Sequence, residues 1–136
     1  MSGPNYGLSK GYVVDSAAVN VKFGRFCKLT ANQVVTTSGA GEASHGVFQE
    51  TLDAAKVSTG KATIGVAVQG IHRVEAGAAV SRLAAVVADS VGRGVTVSAV
   101  VGSKAQSGIA LTPASAAGDM IDVLLTPYAT VNTAVS

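Results

Sequence analysis

The chain has no tryptophan, one cysteine, three prolines and six Phe or Tyr side chains in 136 residues. Each shortage removes a class of explanation. With Cys27 alone, neither an intrachain disulfide nor a cysteine-based zinc site can form within one chain, a usage that fits a reducing compartment or a particle assembled in one. Few aromatics leave the core to Ala and Val, many small side chains in place of a few large anchors. A protomer built that way is expected to gain stability by association. Charge is scarce too: 13% of residues are Asp, Glu, Lys or Arg, against about 25% in ordinary globular domains. Much of the surface must then be Ser, Thr, Ala and backbone, which favours a protein partly covered by partners. Clustered Lys and Arg with interleaved aromatics are missing, so no direct nucleic-acid contact is expected. No run reaches the roughly 18 apolar residues of a membrane-crossing helix, and Met1-Ser-Gly-Pro has neither the charged start nor the apolar stretch of a secretory leader. A soluble chain made in the cytoplasm, without membrane contact, is the expectation.

What is present is repetition. Gly24-Arg25-Phe26-Cys27-Lys28-Leu29, then His45-Gly46-Val47-Phe48, then Ile64-Gly65-Val66-Ala67-Val68 are echoed by Ser81-Arg82-Leu83-Ala84-Ala85-Val86, Ser107-Gly108-Ile109-Ala110 and Ile121-Asp122-Val123-Leu124-Leu125. Arg25 and Ile64 are separated by the same distance as Arg82 and Ile121. Two copies point to a duplicated β unit, because stacked solenoids need at least about three repeats to bury a continuous core. With 48% hydrophobic residues, the chain suits one domain with a sizeable core.

Along the chain, residues 1–11 contain Pro4, three glycines and no period, and read as a flexible N-terminal arm. The β domain is expected over residues 12–127, with a polar, frayed tail over 128–136. Val19, Val21 and Phe23 alternate with Asn20 and Lys22, the period of a half-buried strand. Arg25–Thr30 reads as a strand of undecided facing: either Cys27 and Leu29 point inward or Phe26 does. Val34–Thr37 is a short strand, Val47–Leu52 another, and Asp53-Ala54-Ala55-Lys56 is the one place where a helical turn is admitted. Ala62–Arg73 reads as one central strand. Leu83–Ala88, the turn Asp89–Gly94 and Val95–Val97 form a hairpin, and Gly108–Leu111 and Met120–Leu125 complete the set. No long helical pattern separates these strands, so an all-β fold is predicted, a small antiparallel barrel or sandwich with internal pseudo-duplication.

Motifs for chemistry fail one by one. Lys56-Val-Ser-Thr-Gly60-Lys61-Ala62-Thr63 resembles the end of a phosphate-binding loop, but Ala62 stands where the magnesium-binding hydroxyl is needed. Glu42-Ala-Ser-His45 has di-metal spacing but lies among Gly39, Gly41 and Gly46, without a helix to align the pair and without a second copy. His72 stands alone, Glu50 and Asp53 read as solvated, and no nucleophile elbow occurs. No enzymatic activity, metal or cofactor is expected. Charge is uneven, however: residues 1–40 hold Lys10, Lys22, Arg25 and Lys28 against Asp15 alone. An electrostatic docking surface, if the chain has one, belongs near the N-terminus.

In order through the chain, Phe26-Cys-Lys-Leu-Thr30, Gly46-Val47, Gly65-Val66-Ala67-Val68-Gln69-Gly70, Val74-Glu-Ala-Gly-Ala78, Asp89-Ser-Val-Gly-Arg-Gly-Val95, Gly108-Ile-Ala-Leu111 and Ala117-Gly-Asp-Met-Ile-Asp-Val123 resemble the capsid decoration, or cement, proteins of tailed bacteriophages. The resemblance spans about residues 12–126. It implies a structural virion protein on the outer surface of the mature capsid, bridging major capsid proteins as homotrimers at three-fold and quasi-three-fold positions. The competing class is a phage tail or baseplate β module, and a small β hydrolase is the enzymatic alternative. The expected capsid-binding residues are Tyr6, Leu8, Lys10, Tyr12, Lys22 and Arg25, with the tyrosines as amphipathic anchors and the cations meeting acidic shell groups.

Overall fold

A computed structural model describes residues 8–100 and 104–131 of the chain. Its strands are β1 (Leu8–Val13), β2 (Phe26–Leu29), β3 (Val35–Thr37), β4 (Gly46–Phe48), β5 (Thr63–Gln69), β6 (Ile71–Glu75), β7 (Ala85–Ala88), β8 (Gly94–Thr96), β9 (Lys104–Ala110) and β10 (Met120–Val131). One helical turn, α1 (Ala54–Val57), and a 3-10 turn over Val97–Ala99 are the helical pieces among the described residues. α1 falls where the sequence admits helix, and Asp53 caps it by accepting from the Lys56 N–H at 2.9 Å.

The strands form two five-stranded antiparallel sheets, ordered β1-β5-β4-β2-β3 and β6-β10-β9-β7-β8. The second order is the first shifted by five strands, so the duplication is present in the topology. It extends to single hydrogen bonds. Gly24 N donates to Phe48 O as Leu83 N donates to Ala110 O, and Gln49 N to Gly65 O as Leu111 N to Asp122 O. Each sheet also curls until its edges meet, through the parallel bridges Val14–Val35 and Ala76–Gly94. The all-β duplicated fold is as expected; the detailed alignment of the copies is not. The ladders pair Cys27 with Thr37 and Gly46, and Val86 with Thr96 and Gly108. Cys27 therefore corresponds to Val86, and the matching separations of Arg25–Ile64 and Arg82–Ile121 are a coincidence of loop lengths. His45–Phe48 with Ser107–Ala110, and Ile64 with Ile121, are matched correctly.

Four segments depart from the sequence reading. Leu8–Gly11, assigned to the arm, belongs to β1, because its backbone completes a ladder with β5 from Leu8–Gln69 to Val13–Thr63. Ala62–Arg73 is not one strand: Gly70 at φ +91° breaks it, and β5 and β6 lie in different sheets. Val19–Phe23 is not a strand. Asn20 adopts φ +58° and only Val21 is buried, its neighbours Val19 and Phe23 being exposed. At the other end, β10 runs four residues into the expected tail; its register with β9 slips between Leu125 and Ala129, around Pro127, which has no N–H to give.

The undecided facing of β2 has a double answer: Phe26 and Cys27 are both fully buried. Cys27 joins Val14, Val35, Phe48, Ile64 and Val66 in the interior of the first unit. Phe26 points the other way, with Val47 and Ala67, into a second cluster containing Val74, Val86, Ile121 and Val123. The second interior is cut to receive it. Ala110 replaces Phe48, Gly94 replaces Val35 and Ala76 replaces Val14, as the ladders align them. A Cβ on Gly94 would lie 3.5 Å from the Phe26 ring and 2.9 Å from Val86 Cγ1.

Candidate docking surface

β1 is an edge strand, exposed from Leu8 to Gly11 and at Val13 and half-buried only at Tyr12. Leu8, 54% exposed, and Lys10 stand in solvent, while Tyr12 is half-buried against the first core. The phenol oxygen of Tyr12 makes a 2.6 Å hydrogen bond with His45 Nε2, and the two rings meet edge-on at 5.1 Å. Lys10 Nζ sits 5.5 Å from the centre of the Tyr12 ring, a cation–π contact. Burial, and secondarily the Lys10 charge, hold the His45 imidazole below its usual pKa. Gln49 Nε2 donates to Ser9 Oγ at 2.8 Å and ties the start of the strand to the segment after β4. Lys10, Tyr12 and Val13 with Leu29 and Gln33 line a shallow groove beside this edge.

The six residues expected to bind a partner are not one patch. Tyr6 lies outside the described residues. Leu8, Lys10 and Tyr12 are brought together on β1, and Lys22 is exposed on the loop before β2. Arg25 needs correction as a docking cation. Its side chain is 8% exposed, its Nε lies 3.2 Å from Glu75 Oε1, and its Nη1 donates to Val91 O at 3.0 Å. It joins the two units. Lys28 is also internally engaged, donating to both oxygens of Glu42 at 2.8 and 2.7 Å. That bond, with the Gly39 N–H, holds the Glu42 carboxyl below the usual range.

The chemistry-bearing motifs dissolve in the same way. Glu42 turns to Lys28 and His45 to Tyr12, so the Glu-x-x-His pair has two separate partners. Among the described residues no group of three or more His, Cys, Asp or Glu could hold a metal ion, and no helix is long and apolar enough to cross a membrane. Burial pushes the Cys27 thiol up to about 12, against a smaller opposing bond to the Gly46 backbone.

One surface escaped the sequence reading. Ile71, Leu124, Ile109 and Ala85 stand directly opposite one another across β6, β10, β9 and β7. Ile71 is 51% and Leu124 39% exposed. Aligning the copies by their ladders, instead of by their arginines, finds this row, because its counterpart in the first unit is Ser9–Ala67–Val47–Phe26.

No family model and no curated protein matches the sequence. Among solved structures, the fold is similar to the head fiber gp8.5 N base in bacteriophage phi29, with a TM-score of 0.63 at 12% identity. The match covers 93% of this chain and 98% of that one. At that identity the likeness is one of fold.

Proposed function

We propose that the chain is a structural virion protein that binds the outer surface of a mature phage head and stabilises the shell. The observation that carries this reading is the likeness of fold to the phi29 head fiber base over nearly the whole of both chains. It agrees with the resemblance of the sequence motifs to capsid decoration proteins. A structural task also suits a surface of low charge, since a clamp works through complementary area and multiple attachment.

In this reading the partner is a major capsid protein, and the chain acts as a homotrimer at three-fold and quasi-three-fold positions. The docking edge is β1: Leu8 and Tyr12 supply apolar contact, and Lys10 with Lys22 meets acidic shell groups. Tyr6, outside the described residues, is proposed as a further amphipathic anchor. Arg25 serves the chain's own fold. The test is binding of the purified chain to expanded, undecorated heads of its own phage. Saturable binding in multiples of three per lattice site is the expected result. Attachment to tails or baseplates, with none to heads, would assign the protein to the tail-module class instead.

A further inference from the structure

The second unit holds a short piece of the first in a notch beside the Ala76–Gly94 bridge, between the β6 edge and the β7–β8 turn. The piece is Gly24-Arg25-Phe26. On one wall Glu75 N donates to Gly24 O at 2.9 Å, and on the other Gly92 O accepts from Phe26 N at 2.7 Å. Between them Arg25 Nε lies 3.2 Å from Glu75 Oε1 and its Nη1 donates to Val91 O. Gly24 has φ +81°, and a Cβ there would lie 3.2 Å from the Glu75 nitrogen. The notch thus takes a glycine, a charged residue opposite in sign to its own, and one backbone bond on each wall.

The first unit repeats this notch. By the bridges and ladders Val13 corresponds to Glu75, Leu29 to Ala88 and Gln33 to Gly92. The turns match bond for bond: Thr30 N donates to Val34 O and Gln33 N to Thr30 O, as Asp89 N donates to Arg93 O and Gly92 N to Asp89 O. Gln33 at φ +64° even keeps the left-handed backbone of Gly92 at φ +84°. Val14 N donates inward to Ala62 O, so by strand alternation the Val13 N–H points outward. Among the described residues neither that N–H nor Gln33 O has a partner. Both walls border the shallow groove lined by Lys10, Gly11, Tyr12, Val13, Leu29 and Gln33. Two differences set what fits. The charge here is Lys10, which makes no ion pair, in place of Glu75. The interior behind it is already filled by Val14, Val35 and Phe48, all fully buried, where the second unit has Ala76, Gly94 and Ala110, so no ring can enter as Phe26 does.

We infer that the first notch receives a short segment of the shell protein: a glycine, then an acidic residue, then a small one. The glycine carbonyl accepts from Val13 N–H, the small residue's N–H donates to Gln33 O, and the carboxylate meets Lys10. The inference rests on the proposal that β1 docks on the shell, and adds the site and the chemistry of what enters it. The test compares amide hydrogen exchange of the full chain, free and bound to expanded, undecorated heads. Exchange of the β1 amides is expected to slow about tenfold on heads. Val13→Pro removes an outward N–H on an edge strand, where proline is tolerated, and Lys10→Glu reverses an exposed charge. Both should melt as the wild type does and bind heads about tenfold more weakly, through one lost backbone bond and one opposed charge. Raising the salt should shrink the defect of Lys10→Glu and not that of Val13→Pro. If Val13→Pro does not fold, Lys10→Glu and the exchange measurement decide. Head binding with β1 exchange unaltered and Lys10→Glu equal to the wild type would overturn the inference and leave the functional proposal standing. Slow exchange already present without heads would also overturn it, giving the notch to residues 2–7 if their deletion abolishes the protection, or to a second copy if dilution does. A chain that does not bind heads at all removes the functional proposal and this occupant together.

Discussion

Phe26 is the residue on which the two units depend together, because its ring fills an interior that Gly94 and Ala110 leave open. Phe26→Ala is expected to cost about 3–5 kcal/mol in chemical denaturation, the usual range for emptying a buried aromatic site. Gly94→Val should also destabilise the wild type, yet add less than its own cost in the Phe26→Ala background, where the vacated volume accepts it. Strict additivity in that cycle would show that the two sites do not share a cavity. Arg25 makes a different kind of link. Arg25→Gln leaves Glu75 without its partner, so it should lower stability by about 1–3 kcal/mol and leave the salt dependence of head binding unchanged. An altered salt dependence with unchanged stability would return Arg25 to the docking surface.

At the scale of the element, β1 is an edge strand and the proposed docking edge, and the Tyr12–His45 pair fastens it. The folded His45 pKa is depressed, so the stability linked to this group is present above the unfolded value near 6.5 and is lost as pH falls through the folded pKa. Denaturation midpoints at pH 8 and pH 5 should therefore differ more for the wild type than for His45→Gln. Deleting residues 2–13 bares the edge of β5 and should lower the melting temperature clearly more than deleting residues 2–7. Equal melting of both deletions would contradict the ladder as a stabilising element. How much of this was legible depended on the signal. The Asp89–Gly94 hairpin and the α1 turn are written in local turn and cap chemistry, and both occur where expected. β1 is held by a distant partner and has too little pattern of its own to be read. Val19–Phe23 has the pattern without the strand, because Thr37 Oγ1 donates to Val19 O and Asn20 turns the chain. The facing of β2 could not be settled from alternation, since both of its faces are buried. Of the expected site, Leu8, Lys10 and Tyr12 share β1. Burial of Arg25 needed the second unit to be seen.

At the scale of the whole molecule, duplication gives two units of one fold, joined by the Phe26 ring and the Arg25–Glu75 ion pair. A ligand that binds only the mature shell stabilises that shell over every state it does not bind, by mass action. The measurement that tests this most directly is the temperature at which packaged DNA escapes from heads lacking this protein, with and without saturating purified chain. A higher escape temperature for the decorated heads, rising with the fraction of sites filled, is the predicted result. The same escape temperature at full occupancy and at none would contradict a stabilising role on the shell.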